Sequence, residues 1–297
     1  MRVCALFAWA TSSVLFAQSP VEQAIVLGNQ GAWEQAAAVL QPAVNGDYRS
    51  DAQAWYILGY ALKEQYKASG DLSIENKERL GAIQSFQRSR QLQQQSGQVD
   101  ASLIDAMEVM AESFLKDAAR RVIQFAPGDD GAILELLRRY EAEWAQLHPA
   151  ARFEDQEFDL YFMLAEANAA LLDPDLGLSE AVREAAFGQA VAHYQAAEQL
   201  RPEDDRAHYN LAVTWYNEGV RKIRAIDNQV TLSELMRIQS ECVQFFKRAL
   251  DPMQSAYALN PKKARTLNGL MIIHRALEHR DESERFKDEL EALQGGH

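Results

Sequence analysis

Three segments of this chain carry one packing code, and that code limits the fold more than any other feature. In Trp55-Tyr-Ile-Leu58-Gly59 a large residue is followed three positions later by Leu and then by a small residue. Tyr161-Phe-Met-Leu164-Ala165 and His208-Tyr-Asn-Leu211-Ala212 repeat the spacing. Each is answered downstream by a small residue and a bulky one four later: Ala82 and Phe86, Ala190 and Tyr194, Ala249 and Met253. Positions three and four apart share one helix face. Small residues on that face let paired helices approach to about 8–10 Å, and the large ones fill the facing holes. The code therefore describes a helical hairpin that stacks on copies of itself.

Composition agrees. At 297 residues the chain can bury a sizeable core or a series of small ones. Fifteen Gly and eight Pro are too few for a β-rich or disordered chain of this length, which leaves an all-α class. The formal net charge is -13, and removal of Arg2 would take it to -14. That charge argues against nucleic acid and anionic membrane surfaces as partners.

The first seventeen residues read as a secretory signal. Arg2 supplies the positive start, residues 3–16 are apolar except for Thr11, Ser12 and Ser13, and Ala17 suits the position before a cut. The apolar stretch is shorter than the ~20 residues that span a bilayer. No later segment is long and apolar enough to be a transmembrane helix, so the expected mature chain has none. The expectation is an exported protein, periplasmic or extracellular and possibly associated with the envelope, with residues 1–17 as signal peptide and 18–297 as one repeat domain. Cys4 would leave with the signal. Cys242 would then be the single thiol, which excludes an intrachain disulfide.

From Pro20 onward apolar residues recur with the helical period. The spacing predicts six hairpins. Their helix pairs are residues 21–30 with 32–44, 51–68 with a long helix opening at Ser73, and 102–125 with 131–147. Then come 158 to 200 broken at 173–177, 205 to 259 with a return helix opening at Ser233, and 264–278 with 282–293. Leu72-Ser73, Leu178-Ser179 and Leu232-Ser233 each look like the start of a second helix. Pro252 falls inside the fifth return helix, where a kink is expected.

These residues resemble tetratricopeptide repeats, whose unit is ~34 residues of helix–turn–helix. Trp55, Leu58, Gly59, Ala82 and Phe86 match the pattern in the second hairpin. Tyr161, Leu164, Ala165, Ala190, Tyr194, Ala197 and Pro202 match it in the fourth, and Leu211, Ala212, Ala249, Ala256 and Pro261 in the fifth. The segments 62–82, 168–190 and 215–249 are longer than the pattern allows. The stretch from Trp215 to Pro261 is similar to exported repeat proteins of Gram-negative bacteria. The resemblance implies a right-handed α-solenoid of about six hairpins that binds another protein or peptide.

In that family the groove is lined by first-helix residues next to the packing code. The resemblance therefore points to Tyr56, Phe162 and Tyr209, then to Tyr60, Glu166 and Val213, then to Lys63 and Tyr216 as a candidate partner-binding face. Aromatic side chains there can grip an extended or helical peptide. Repeat domains that clamp a chaperone's terminal carboxylates use Lys and Asn on this face. The positions here are mostly aromatic or apolar, so that activity is not implied.

Nothing in the sequence assembles a catalytic site. Of the six His, no pair stands at a metal spacing on one helix face, and His274 and His279 are five apart. Asp173, Asp175, Ser179 and Glu184 fall at calcium-loop positions, but Gly177 and Leu178 stand where a ligand and the required Gly belong. A turn followed by a helix cap accounts for them. There is no phosphate loop and no nucleophile elbow. The expectation is a non-enzymatic scaffold with no cofactor and no metal. The alternative is a small-molecule or glycan-binding protein with an aromatic pocket built by the inserted segments.

Overall fold

The structure is a computed structural model that describes residues 18–227 and 229–295. The expected signal, residues 1–17, lies outside the described residues. Among those residues the chain forms twelve α-helices, one short 3-10 turn and no strand. It divides into two compact units, Met1–Ser113 and Phe114–His297, with the division inside one helix.

The first unit holds α1 (Pro20–Asn29), α2 (Trp33–Asn45), α3 (Ala52–Ser69), α4 (Lys77–Gln95) and the start of α5 (Ala101–Ile123). Helix α1 opens on a capping box: Ser19 Oγ accepts from the Glu22 amide, and Glu22 accepts in return from the Ser19 amide. Pro20 at the first helical position needs no hydrogen bond there. α1 packs on α2, α2 on α3 and α3 on α4. Leu58, Gly59, Ala82 and Phe86 are all buried at the α3–α4 contact, as the packing code requires. A Cβ on Gly59 would stand 2.7 Å from the Phe86 ring, so the approach of the two helices depends on its absence. Trp55 is half-buried, and its indole donates to the Arg49 carbonyl at 3.0 Å.

The second unit holds the rest of α5, then α6 (Asp130–Leu147), α7 (Glu154–Ala170), α8 (Glu180–Leu200), α9 (Asp205–Arg224), α10 (Leu232–Leu259), α11 (Ala264–Ala276) and α12 (Arg280–Gly295). α7 pairs with α8, α9 with α10 and α11 with α12. α8 also packs on α9, and α10 on α11. Ala165, Tyr194, Leu211, Ala212, Ala249 and Met253 lie in one buried cluster that Leu267, Leu270 and Phe286 extend into the last hairpin. The Leu, the small residues and the second-helix bulky residues of the code are thus core residues, while Trp55, Tyr161 and His208 are half-buried. Pro202 and Pro261 stand just beyond the ends of α8 and α10, where proline cannot continue a helix.

Two of the three expected Ser caps are displaced. α4 begins at Lys77 and is capped by Asn76, not Ser73. Asn76 accepts from the Arg79 amide at 2.8 Å, and its amide group donates to Ser69 and Asp71 at 3.3 Å each. Ser73 closes only a local turn, accepting from the Glu75 amide. A residue that caps and also ties back to α3 wins over one that does neither. α10 is capped by Thr231 in a capping box with Glu234, which puts Ser233 in the first turn. Only Ser179 caps as expected. α10 runs unbroken through Pro252.

The segment between α3 and α4 is tied down by Arg79, which is fully buried. Its guanidinium lies over the Tyr66 ring, donates to the Tyr66 hydroxyl at 3.3 Å and donates to the Ser73 carbonyl. The first inserted segment is therefore folded back on its own hairpin. The segment between α7 and α8 contains the 3-10 turn Pro174–Leu176, whose N-cap Asp173 accepts from the Asp175 amide. This is the turn that the chain's local chemistry predicts.

Candidate functional site

In the first unit the candidate residues are largely engaged within the chain. Tyr60 packs on Trp33 of α2 with ring centroids 5.6 Å apart, and Tyr56 lies 5.9 Å from Phe86 of α4. Lys63 is buried, with its ammonium 3.6 Å from the Tyr60 ring centre and 2.9 Å from Glu64. Tyr56 and Tyr60 keep partial exposure.

In the second unit the candidates fall on α7 and α9. Glu166 is exposed, while Phe162, Tyr209, Val213 and Tyr216 are half-buried against the core cluster. Tyr216 packs on Phe246 at 5.3 Å, and Phe162 meets Tyr194 edge to face at 5.7 Å. Burial first, and the Glu166 carboxylate second, push the Tyr194 phenol well above its ordinary range, against a hydrogen bond with Asn210. Tyr194 is therefore neutral beside Phe162.

Two arginines outside the packing code complete this face. Arg206 of α9 lies over Phe162 at 5.3 Å, and Arg265 of α11 lies over Tyr209 at 4.4 Å. The pairs are equivalent: Phe162 and Tyr209 each stand two before the code Leu, and Arg206 and Arg265 each stand four after Pro202 and Pro261. Both guanidinium groups remain accessible, with side chains 51% and 44% exposed. Both oxygens of Asp204 hold the Arg206 guanidinium, Oδ1 accepting from Nε at 3.0 Å and Oδ2 from Nη2 at 2.7 Å. Asp205 holds Lys263 and lies 3.8 Å from Arg265. Sequence reasoning missed these arginines; the signal that could have found them is their common offset from the two helix-ending prolines.

Two further polar clusters are structural in geometry. Asp130, Asn168 and His193 are buried together. Asp130 Oδ1 accepts from Asn168 Nδ2 at 2.7 Å and lies 2.7 Å from His193 Nε2, so one carboxylate joins α6, α7 and α8. At the other end of the α8–α9 pair, Arg221 contacts Glu180 at 2.6 Å and Glu218 at 2.7 Å, and Lys222 contacts Glu180 at 3.1 Å. The hydrogen bond from Arg221 is the main cause that holds the Glu180 carboxyl down at about 2. Cys242 is buried, its thiol 3.3 Å from the Gly219 carbonyl, and burial raises its pKa. It is therefore held as an unreactive thiol.

No family model and no curated protein matches the chain. Among solved structures, the chain is similar to the MamA protein at 12% identity over 82% of this chain and 92% of that one, with a TM-score of 0.31. It is also similar to YrrB, described as a TPR protein with an unusual peptide-binding site, at 15% identity over 84% and 89%, with a TM-score of 0.26. A third likeness is to the TPR2AB domain of yeast Sti1 in complex with pHSP90, at 14% identity over 92% and 89%, with a TM-score of 0.29. The structural neighbours include tetratricopeptide proteins. The class rests on this chain's own all-helical hairpins and buried code residues.

Proposed function

We propose that this chain is an exported, non-enzymatic scaffold that binds an extended segment of another protein along the first helices of its second unit. The observation that supports this reading is the repeated rung, Arg206 over Phe162 and Arg265 over Tyr209, one hairpin apart. Aromatic side chains and arginine are the residue types that most often dominate binding energy at interfaces. A ring whose face is covered by a fixed guanidinium still offers its edge and the arginine N–H groups, and two such rungs in register suit a partner with a residue-by-residue repeat. The acidic chain remains a poor partner for nucleic acid. For export, the support is the signal-like residues 1–17 followed at once by the Ser19 cap of α1.

The alternative, an aromatic small-molecule pocket beside the inserted segments, has less support. Phe187 of α8, Trp215 of α9 and Phe245 of α10 are packed on one another at 5.0 to 5.9 Å, with Arg248 over Trp215.

The test is Tyr209→Ala in a pull-down from the envelope fraction of the native cell. A central aromatic anchor typically contributes ~2 kcal/mol or more to binding, so capture should fall by at least about tenfold. Tyr209 is only half-buried, so thermal melting should move little. A large drop in melting temperature with unchanged capture would assign Tyr209 to the core and remove the proposal.

A further inference from the structure

The turn between α11 and α12 holds an arrangement that neither the packing code nor the binding face uses. Helix α11 ends in a motif in which the His279 amide donates to the His274 carbonyl at 2.9 Å and the Glu278 amide to the Arg275 carbonyl at 3.1 Å. These are the two bonds of a Schellman cap, which needs a left-handed residue at its turn and brings the side chains at its two ends into contact. Glycine usually takes the left-handed place. Here it is Glu278, at φ 61, the one non-glycine residue with positive φ among those described. The contact at the ends of the motif, usually apolar, is between two imidazoles. His274 Nδ1 and His279 Nδ1 lie 3.2 Å apart. Five residues apart, they do not share a helix face; the left-handed turn is what joins them.

We propose that His274 and His279 form a two-imidazole site for a borderline divalent transition-metal ion such as Cu(II), Ni(II) or Zn(II). Imidazole nitrogen binds such ions at ~2.0–2.1 Å. Two nitrogens 3.2 Å apart, each at that distance from one ion, subtend roughly 100° at it, within the range of tetrahedral and tetragonal geometry. The His274 ring is held in place by stacking on Phe286, at 5.5 Å and 19°. His279 is exposed, which opens the pair to solvent.

Among the described residues no group of three or more His, Cys, Asp or Glu side chains could hold a metal. The ion therefore keeps water in its other positions. The charges that act on His274 are the Glu282 carboxylate, which favours a cation, and the Arg285 guanidinium over Phe286, which opposes one. In the unloaded pair one Nδ1–H donates to the other Nδ1. The ion binds Nδ1 of both rings, and the proton displaced from Nδ1 moves to Nε2 of its own ring, so that each imidazole keeps one N–H.

The experiment uses Cu(II) and the untagged chain at neutral pH, followed by calorimetry and electron paramagnetic resonance. The expected result is one tightest equivalent whose spectrum carries two nitrogen couplings. His279→Phe keeps an aromatic contact at the cap but removes the ligand. It should fold as the wild type does by circular dichroism, and weaken that equivalent at least about tenfold. Cu(II) should raise the melting temperature of the wild type and not of His279→Phe. Equal affinity in the two proteins, or a single nitrogen coupling in the wild type, overturns the proposal. His279→Ala provides the same comparison if the phenylalanine variant does not fold.

Discussion

The smallest residues carry the strictest demands in this molecule. Gly59 and Gly219 each face a ring that an added Cβ would meet at 2.7 and 2.6 Å, Phe86 and Phe246. A ring packed between helices has no free end to move aside. Gly59→Leu should therefore overpack the α3–α4 contact and cost about 1–3 kcal/mol, read as a lower midpoint in urea. An unchanged midpoint would mean that the helices separate at no cost. Gly59 was legible in the sequence because it follows Leu58 in the code. The weight of Gly219 was not, since it lies seven residues past Ala212 and acquires its role only when α10 crosses at Phe246.

At the scale of elements, polar side chains join helices that the apolar code does not distinguish. Asp130 is the clearest case, because one carboxylate holds α6 to both α7 and α8. Asp130→Ala would leave the Asn168 amide and the His193 ring with lost partners inside the core. The expected cost is about 2–4 kcal/mol, measured by denaturant unfolding, and a neutral substitution would show that water replaces the carboxylate freely. The Glu180–Arg221–Lys222 cluster makes a pH prediction. Glu180 is held at about 2, below its ordinary 4.5, by Arg221 and Lys222. A depressed carboxyl contributes stability above its unfolded pKa and loses it as pH falls through the folded value. The contribution should fade between about pH 4.5 and 2. Its side chain is 50% exposed, so screening limits the effect to about 0.5–1 kcal/mol. Glu180→Gln should lower stability near neutral pH by that amount and make no difference near pH 2. A difference that persists at pH 2 would place the effect elsewhere than in the ion pairs.

At the scale of the whole molecule, the chain is all-α in each of its two units, and no described helix is long and apolar enough to cross a membrane. The proposal of export makes a plain prediction. Protein purified from its native cell should begin near Gln18, with a mass lacking the first seventeen residues and with the Ser19–Glu22 capping box intact. Intact Met1 on protein recovered from the cytoplasm would refute export.

The sequence by itself determined the class of the fold. Positions three and four apart report one helix face, and a small residue beside a large one reports a close helix pair. Both signals are local, so they place Leu58, Gly59, Ala165, Leu211, Ala212, Ala82, Ala190 and Ala249 in the core without reference to any distant residue. Tertiary structure decided what that period leaves open. Tyr60 and Phe162 are both first-helix aromatics beside the code, yet one is packed on Trp33, 27 residues before it, and the other lies under Arg206. The caps at Asn76 and Thr231 won over Ser73 and Ser233 through bonds to α3 in one case and a capping box in the other. Asp130 and His193 are 63 residues apart, and His274 meets His279 only through a left-handed Glu278. A helical period sets which side of a helix a residue occupies. The length and geometry of the connecting segments set what stands opposite it, and that choice separates a fully buried aromatic from one left half-buried.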